Sequence, residues 1–560
     1  MTELITTLSI VFVAAGVFLL AANYVSLSPV PAYILAGLAI AAGGFVEQAA
    51  LIELAQWGIA FLVFVFGFRV DFDSLRTVIR DSEVAAVTQL LVVAPIAFGV
   101  ALLFGFDQLN AVYFAAAATL SSTLVGAGLL EHDVRNNLVH GRLASSLHFF
   151  DDLVAVGLVL VLSADQYTTT LVTSKIGFGV LFLAAALLVN RHAFPLLVRL
   201  AEGFDELVMM GSISILIAFL AAAELAGISI VVGAFAAGIA IRSGDASTLG
   251  VLNGIESIKD FFVAIFFVTV GALVAVPSPE VIVVAATLVG LVAVVNPIVL
   301  VLAFGYEGYD ARTAFLASTT LNQVSELSLV IAIQALLLAS ISTVLFEAII
   351  LAAAVTMILA VPTRRHEEAI YRRVVEPIVA GPQSRTVDER SHVADDLADH
   401  VVIVGYGRHG SRLVATCEDL DREYVVVDND PVRWDDLQRE CRNYVLGDAM
   451  NEHTWTTAGV ADASLIVSTV DHRPVSDRIL ELETDADVVL RADTAEEADE
   501  LLEAGATYVT VPNLLAGDRL VEIVDGLRTG ELSHAELTAE HVALLDDLER
   551  YGFGTRVDVE

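Results

Sequence analysis

The 560-residue chain has only two cysteines, Cys417 and Cys441, and only two lysines, Lys175 and Lys259. Two cysteines give no disulfide framework, and neither a CxxC pair nor a Cys/His metal spacing occurs. Charged residues are scarce at 18%, and a net charge of −38 leaves no basic patch for a phosphate backbone, which argues against nucleic acid as a partner. The surplus is apolar. With 56% hydrophobic residues and a mean hydropathy of +0.73, the composition excludes an ordinary soluble enzyme, a disordered chain and a fibrous repeat.

The averages hide two different parts. Residues 1–361 hold 11 Lys+Arg and 25 Asp+Glu, whereas residues 362–560 hold 19 and 43. The expected architecture is an α-helical polytopic membrane domain over 1–361, a linker over 362–399, an α/β Rossmann domain over 400–525 and an acidic extension over 526–560. Acidity with almost no Lys resembles the surfaces of halophile proteins, whose carboxylates keep them soluble in concentrated salt.

A membrane helix needs about 20 mostly apolar residues. Apolar runs at 3–22, 28–43, 52–69, 84–105, 109–130, 143–163, 174–190, 207–224, 228–241, 259–276, 280–304, 313–337 and 342–361 give about 13 helices. Arg76/Arg80, Arg135/Arg142, Arg191/Arg199, Arg242, Arg312 and Arg364/Arg365 follow every second run, and the alternate loops carry almost no cation. The positive-inside rule then puts the N-terminus outside and the C-terminal domain in the cytoplasm.

Three features break the apolar pattern. Asp151-Asp152 lies inside the sixth run, and one Asp at a helix centre costs about 2.5–3.5 kcal/mol on insertion scales. Ala118-Thr119-Leu120-Ser121-Ser122-Thr123 and Ser318-Thr319-Thr320-Leu321-Asn322-Gln323-Val324-Ser325-Glu326 are hydroxyl-rich stretches at mid-span. They lie seven helices apart, so their chains run in opposite directions, which points to an inverted-repeat transporter with broken helices meeting at the midplane.

With Pro31-Ala32-Tyr33-Ile34-Leu35-Ala36-Gly37 and Phe261-Phe262-Val263-Ala264-Ile265-Phe266-Phe267, these motifs resemble the monovalent cation:proton antiporter-2 family, the Kef-type exchangers. The resemblance implies a homodimer in the plasma membrane that exchanges Na+ or K+ for H+. In that family the carboxylate at the Asp152 position binds cation and proton alternately. It nominates Asp151, Asp152, Thr119, Ser121, Ser122, Thr123, Gln323, Glu326 and Asn296 as the ion and proton site. Kef-type potassium systems usually have Gln-Asp where this chain has Asp-Asp. The electrogenic sodium branch has a Lys where this chain has Asn296. Without that cation two adjacent carboxylates resist double ionisation, so the expectation is electroneutral exchange.

In the second part, His400-Val401-Val402-Ile403-Val404-Gly405-Tyr406-Gly407-Arg408-His409-Gly410 reads as strand, glycine turn and helix. A second apolar run, Val425-Val426-Val427-Asp428, ends in an acid at ribose-binding spacing, followed by Asn429. Further strands are expected at 443–449, 463–469, 488–492 and 507–512. Gly447-Asp448-Ala449 after the third strand resembles the nucleotide-binding regulator of potassium conductance, the TrkA-N or RCK type. Gly405, Gly407, Arg408, His409, Gly410, Asp428, Asn429, Asp448 and Ala449 form the candidate nucleotide site. Asp428 with no Arg directly after it favours NAD(H) or an AMP-like ligand over NADP. No catalytic set accompanies this pocket, so the expectation is a regulated transporter and not an enzyme. The alternative is a nucleotide-gated potassium efflux system or a channel-like potassium transporter; against a channel stands the absence of a Thr-Val-Gly-Tyr-Gly filter.

Overall fold

A computed structural model describes residues 2–542 except 25–26, 45, 47, 70–74, 163–168, 202–203, 243–248, 275–276, 379–386, 395–396, 531, 536 and 540. The end of the acidic extension, 543–560, lies outside the described residues. The chain divides into two compact units. One comprises residues 1–131, 143–303 and 315–367, and the other 132–142, 304–314 and 368–560.

In the first unit the helices are α1 (Thr2–Tyr24), α2 (Pro29–Gly43), α3 (Gln48–Arg69), α4 (Leu75–Thr88), α5 (Ala94–Leu103), α6 (Gln108–Thr119), α7 (Thr123–Arg135) and α8 (Val139–Leu162). They continue as α9 (Thr169–Leu188), α10 (Phe194–Leu200), α11 (Asp205–Leu225), α12 (Ile230–Ala240), α13 (Leu249–Ala272), α14 (Pro279–Gly290), α15 (Asn296–Glu307), α16 (Ala311–Thr319), α17 (Glu326–Leu337) and α18 (Thr343–Ile370). The order repeats at an offset of about 200 residues: α1–α8 correspond in order and roughly in length to α11–α18, with α9 and α10 between them. Starts are set locally. Pro29 and Pro279 occupy first-turn positions, Asp107 accepts from the Asn110 amide, and Ser278 accepts from the Val281 amide.

The 13 apolar runs fall on helices among the described residues, 109–130 and 313–337 each on two helices with a break between them. Among the described residues, seven helical stretches are long and apolar enough to cross a membrane, and Pro29–Gly43, Ile230–Ala240 and Glu326–Leu337 are shorter apolar helices. Four helical stretches among the described residues widen into π turns, at Gln89–Val93, Val189–Ala193, Leu291–Val295 and Tyr371–Val375. The linker expected from residue 362 begins as helix, because α18 runs through Pro362 to Ile370. Its later part also contains an extended residue that no pattern indicated. His392 pairs antiparallel with Tyr444, each amide donating to the other's carbonyl at 2.8 Å.

Two helix crossings are closed by glycine. α2 packs on α13, and α3 packs on α12. A Cβ at Gly37 would lie 2.1 Å from the Val268 carbonyl oxygen, and one at Gly271 2.2 Å from that of Ile34. The repeat-related crossing is built alike: a Cβ at Gly238 would meet the Phe64 carbonyl at 2.1 Å, and one at Gly67 the Phe235 carbonyl at 2.2 Å. Small residues let the backbones touch where hydrocarbon offers no hydrophobic drive for helix association.

In the second unit β1 (His400–Val404), α19 (Arg408–Asp419), β2 (Tyr424–Asp428), α20 (Trp434–Glu440), β3 (Tyr444–Leu446), α21 (Glu452–Thr457), β4 (Ala463–Ser468), α22 (Arg473–Leu480), β5 (Asp487–Arg491), α23 (Ala495–Glu503), β6 (Tyr508–Thr510) and α24 (Pro512–Thr529) alternate. The all-parallel sheet has order β3-β2-β1-β4-β5-β6, the doubly wound Rossmann topology. Strand residues alternate between two buried layers. Val402, Val404, Val425 and Val427 pack in one layer, and Ile403, Tyr424 and Val426 in the other.

Replacing Gly238 by Val inserts side-chain atoms where backbone touches backbone, a change worth about 1–3 kcal/mol. The detergent-solubilised Gly238→Val protein should lose several degrees of thermal midpoint. Gly177→Val is the control, since nothing lies within 4 Å of a Cβ there, and it should not lower the midpoint.

Candidate functional site

The first helix break opens after Thr119, where Leu120 turns extended (φ −78°, ψ 135°), and closes where α7 begins at Thr123. The second opens after Thr319 and closes at Ser325, whose hydroxyl accepts the Leu327 amide at 3.0 Å and caps α17. Residues outside a helix lose their i→i−4 partners, and in hydrocarbon those groups must be satisfied within the protein. Here the two breaks supply each other. Ser121 and Val324 form an antiparallel bridge, and the Ser325 amide donates to the Leu120 carbonyl at 3.1 Å.

Both acids of α8 are held by the first break. Asp151, buried, accepts at one oxygen from the Ser121 amide at 2.9 Å and the Ser121 hydroxyl at 2.5 Å. Asp152, half-buried, accepts from the Thr123 hydroxyl at 2.9 Å. Glu326, buried at the start of α17, reaches the other break, where its Oε1 accepts the Leu124 amide at 3.0 Å. A carboxylate there meets an unsatisfied first-turn N–H and the positive end of the α7 dipole.

The remaining nominated residues surround this crossing. The Thr119 hydroxyl bonds back to the Ala115 carbonyl at 2.8 Å, and the Ser122 hydroxyl accepts the Val125 amide at 3.4 Å. The Asn296 amide reaches the Leu321 carbonyl in the second break at 3.5 Å. Asn296 Oδ1, Asn322 Oδ1 and both polar atoms of the Gln323 side chain are buried with no hydrogen-bond partner among the described residues. Buried polar atoms of that kind need water or an ion.

Two side chains here were missed from the sequence. Gln89, in a π turn, donates to the Thr119 carbonyl at 2.6 Å and so satisfies the end of α6. His148 places Nδ1 3.0 Å from the Ser121 hydroxyl. The available signals were a lone Gln in an apolar run and a His three residues before the acid pair, on the same helix face.

The second unit carries a cavity of about 650 Å³ at the carboxyl ends of β1, β2 and β3. Gly405, Gly407, Arg408 and His409 line it from the glycine turn. Asp428, Asn429, Asp448 and Ala449 line it from the strand ends. Gly410 stands behind the lining. A Cβ on it would lie 1.9 Å from the Gly405 carbonyl oxygen, so glycine is required for the turn to close. Asp428 accepts the Tyr406 amide at 2.6 Å and the Asp430 amide at 2.8 Å, which fixes the turn and leaves further lone pairs facing the cavity. The Asn429 amide donates to the Thr313 hydroxyl at 3.0 Å. His409 lines the cavity, while His453 lies 2.7 Å from Asp388.

Arginine is concentrated around this cavity. Arg135, Arg142, Arg312, Arg408, Arg433 and Arg491 all line it. Arg142 pairs with Asp430 at 2.6 Å; Arg312 lies 3.7 Å from Asp448 and also pairs with Glu368. The Arg433 guanidinium donates to the Tyr406 carbonyl at 2.6 Å. Burial holds the Asp428 carboxyl above the usual range, with the neighbouring Asp430 adding to the effect. Burial pushes the Asp448 carboxyl up to about 6 against the pull of Arg312, and it pulls His409 down, helped by Arg491.

Raised above its unfolded value, the Asp448 carboxyl contributes stability that is complete below about pH 4 and lost as pH rises through about 6. Asp448→Asn removes that loss and leaves Arg312 its pairing with Glu368. The difference in thermal midpoint between variant and wild type should therefore grow in the variant's favour from pH 4 to pH 7. A pH-independent difference would contradict it.

Comparison with known proteins places these features. The family profile described as sodium/hydrogen exchanger, transmembrane, matches residues 8–365, and the TrkA-N domain profile matches residues 401–512. The chain is 25% identical over 559 residues to YbaL of Escherichia coli strain K12, which carries the name of a cation/proton antiporter; the match covers 95% of this chain and 99% of that one. It is 25% identical over 481 residues to the glutathione-regulated potassium-efflux system protein KefC of Enterobacter sp. strain 638, covering 82% of this chain and 74% of that one. Among solved structures, the TrkA-N domain of the Escherichia coli inner membrane protein ybaL matches at 26% identity and a TM-score of 0.22, covering 23% of this chain and 98% of that one. Matched by the family profile over well more than half its length, the chain belongs to the sodium/hydrogen exchanger family of membrane transporters and carries a C-terminal TrkA-N domain.

Proposed function

We propose that the protein is a secondary-active antiporter that exchanges Na+ or K+ for H+ at Asp152, with Asp151 as its helper, under the control of an adenine nucleotide held by the TrkA-N domain. The observation that carries this reading is the crossing of two helix breaks at an acid pair, with Ser121 on Asp151 and Thr123 on Asp152. An ionised Asp at mid-membrane costs about 2.5–3.5 kcal/mol on insertion scales, and a hydrogen bond to a charged group returns about 1.5–3. The two donors of Ser121 therefore hold Asp151 in place, while the half-buried Asp152 is the one that cation or proton reaches. Either occupant neutralises it, so binding of one displaces the other. The unpartnered amide oxygens of Asn296 and Asn322 and the side chain of Gln323 supply hard oxygen ligands nearby for a partly dehydrated cation.

The arginine-lined cavity supports the regulatory half. Glycine turn, helix N-terminus and six arginines suit a phosphate-bearing ligand, and Asp428 suits a ribose with a free 2′-hydroxyl, as in NAD(H) or AMP. The distribution of arginines between apolar runs supports a cytoplasmic C-terminal domain, and the plasma membrane rests on the resemblance to Kef-type exchangers. The homodimer rests on the resemblance to Kef-type exchangers.

In proteoliposomes with an imposed pH gradient, wild type should move Na+ or K+ against protons, and Asp152→Asn should lower the rate at least 100-fold while still inserting. With Asn296 in place of a pairing Lys, a valinomycin-set potential in the same vesicles should leave the rate unchanged. Near-normal exchange by Asp152→Asn would sink the mechanism.

Calorimetry on the detergent-solubilised full chain with NAD, NADH, AMP and ATP should give heat for at least one of them. Gly410→Ala should abolish that heat by forcing a Cβ against the Gly405 carbonyl. No heat from any of the four in wild type would mean that the domain is a nucleotide-free scaffold.

A further inference from the structure

We infer that the nucleotide site is composite: residues 132–142 and 304–314, which in sequence belong to the exchanger, form one wall of it, and Arg142 and Arg312 set its affinity for an anionic nucleotide. The inference rests on the reading of the cleft as a nucleotide site and adds to it residues outside the TrkA-N profile.

Both stretches lie within 8–365, the range that the exchanger profile matches, yet both fold into the compact unit that holds the Rossmann sheet. The first carries the turn between α7 and α8, and the second the turn between α15 and α16. Their polar contacts go to residues at the ends of β2 and β3. Arg142 pairs with Asp430 at 2.6 Å, the Thr313 hydroxyl accepts from the Asn429 side chain at 3.0 Å, and Arg312 lies 3.7 Å from Asp448. The end of β2 is where a Rossmann fold holds the ribose of its ligand. The stretches do not fill the cleft. A cavity of about 650 Å³ remains, lined by the glycine turn and, from the first stretch, by Arg135, Asn136, Leu138 and His140.

Charge gives this wall its role. Asp428, Asp430 and Asp448 all line the cavity and are 9%, 3% and 8% exposed. Three buried carboxylates repel the phosphate of a nucleotide. From the Rossmann segment, Arg433 stands 3.7 Å from Asp430 and donates its closer hydrogen bond to the Tyr406 carbonyl. The nearer guanidinium at Asp430 comes from Arg142, and the one at Asp448 from Arg312, both on the exchanger stretches. Arg312 is 4% exposed, and its Nε also donates to Glu368 at 3.0 Å, so its charge is fixed in place. An anionic ligand therefore enters a cleft whose acids are neutralised by residues from outside the Rossmann fold.

The same arginines stand on helices that build the exchange site. Arg142 lies nine residues before Asp151 on α8, which is about 13 Å along the axis at 1.5 Å per residue. Arg312 lies seven residues before Thr319, where the second break opens, about 10 Å along α16. A nucleotide in the cleft thus meets α8 and α16 directly, without acting through the stretch 362–399.

The test uses the full chain in detergent with NAD, NADH, AMP and ATP as probes, read by hydrogen–deuterium exchange and by calorimetry. A probe that binds should slow amide exchange over residues 135–142 as well as over the glycine turn, 405–410. Arg142→Gln should weaken its binding about ten-fold, because Asp430 then keeps its charge beside the phosphate. Arg142→Lys, which retains the charge, should recover most of that loss. Protection confined to 405–410 would overturn the inference, and so would wild-type affinity in monodisperse Arg142→Gln protein. The exchange measurement needs only wild type, so it decides the matter even where a variant does not fold. Failure of the underlying reading is separate: it would appear as neither heat nor protection with any of the four nucleotides.

Discussion

Backbone that leaves the helix inside hydrocarbon has to find its hydrogen bonds within the protein, and in this chain it finds them at a second break. The bridge between Ser121 and Val324 and the bond from Ser325 to Leu120 remove the penalty from both interruptions at once. Neither break is tolerable without the other. Once they are joined, first-turn N–H groups of α7 and α17 meet at one place, and negative charge can be held there. Glu326 answers one such group at Leu124, and Ser121 and Thr123 turn their hydroxyls to the acid pair. The sixth helix can then carry two carboxylates that an isolated membrane helix would reject.

The same principle operates in the second unit. At the carboxyl end of β1 the glycine turn leaves the Tyr406 amide without a helical partner, and Asp428 at the end of β2 accepts it. In both units a buried carboxylate is held by a backbone amide at the point where regular structure stops. In the membrane unit the surrounding atoms are mostly neutral amides and hydroxyls. In the second unit arginine guanidiniums are prominent among them, so the two places suit ligands of opposite charge.

Much of this was legible in the sequence because it follows from period and hydropathy. The apolar runs fall on helices, the strands of the Rossmann sheet begin and end within three residues of their expected positions, and the acid pair announces itself by sitting inside an apolar run. The helix breaks could be placed because Ser, Thr and Asn cluster most densely there, beside the acid pair's run and in its repeat-related counterpart. What stayed hidden depends on tertiary contact. Gln89 lies 30 residues from the Thr119 carbonyl it satisfies, and Arg312 lies well over 100 residues from Asp448. In the sequence, Arg135, Arg142 and Arg312 served only to orient the membrane helices, because nothing local shows that their guanidiniums face the TrkA-N cleft. The helical continuation past Pro362 and the His392 pairing were invisible for the same reason: a proline has room in a helix whose missing bond is tolerated, and a single bridging residue has no period.

The glycine crossings have a mechanical consequence. Where the Cα of Gly37 lies against Gly271 and that of Gly67 against Gly238, a slide by one residue along either helix would drive a side chain into a carbonyl. α2 with α13 and α3 with α12 are therefore keyed together, like gears with their teeth meshed. Alternating access requires some helices to move against others, and these two pairs cannot be the sliding surface. The break-bearing helices meet through hydroxyls, amides and carboxylates that can exchange one partner for another. Any slide of one helix along another therefore meets less steric resistance at the polar seam than at the glycine-locked pairs.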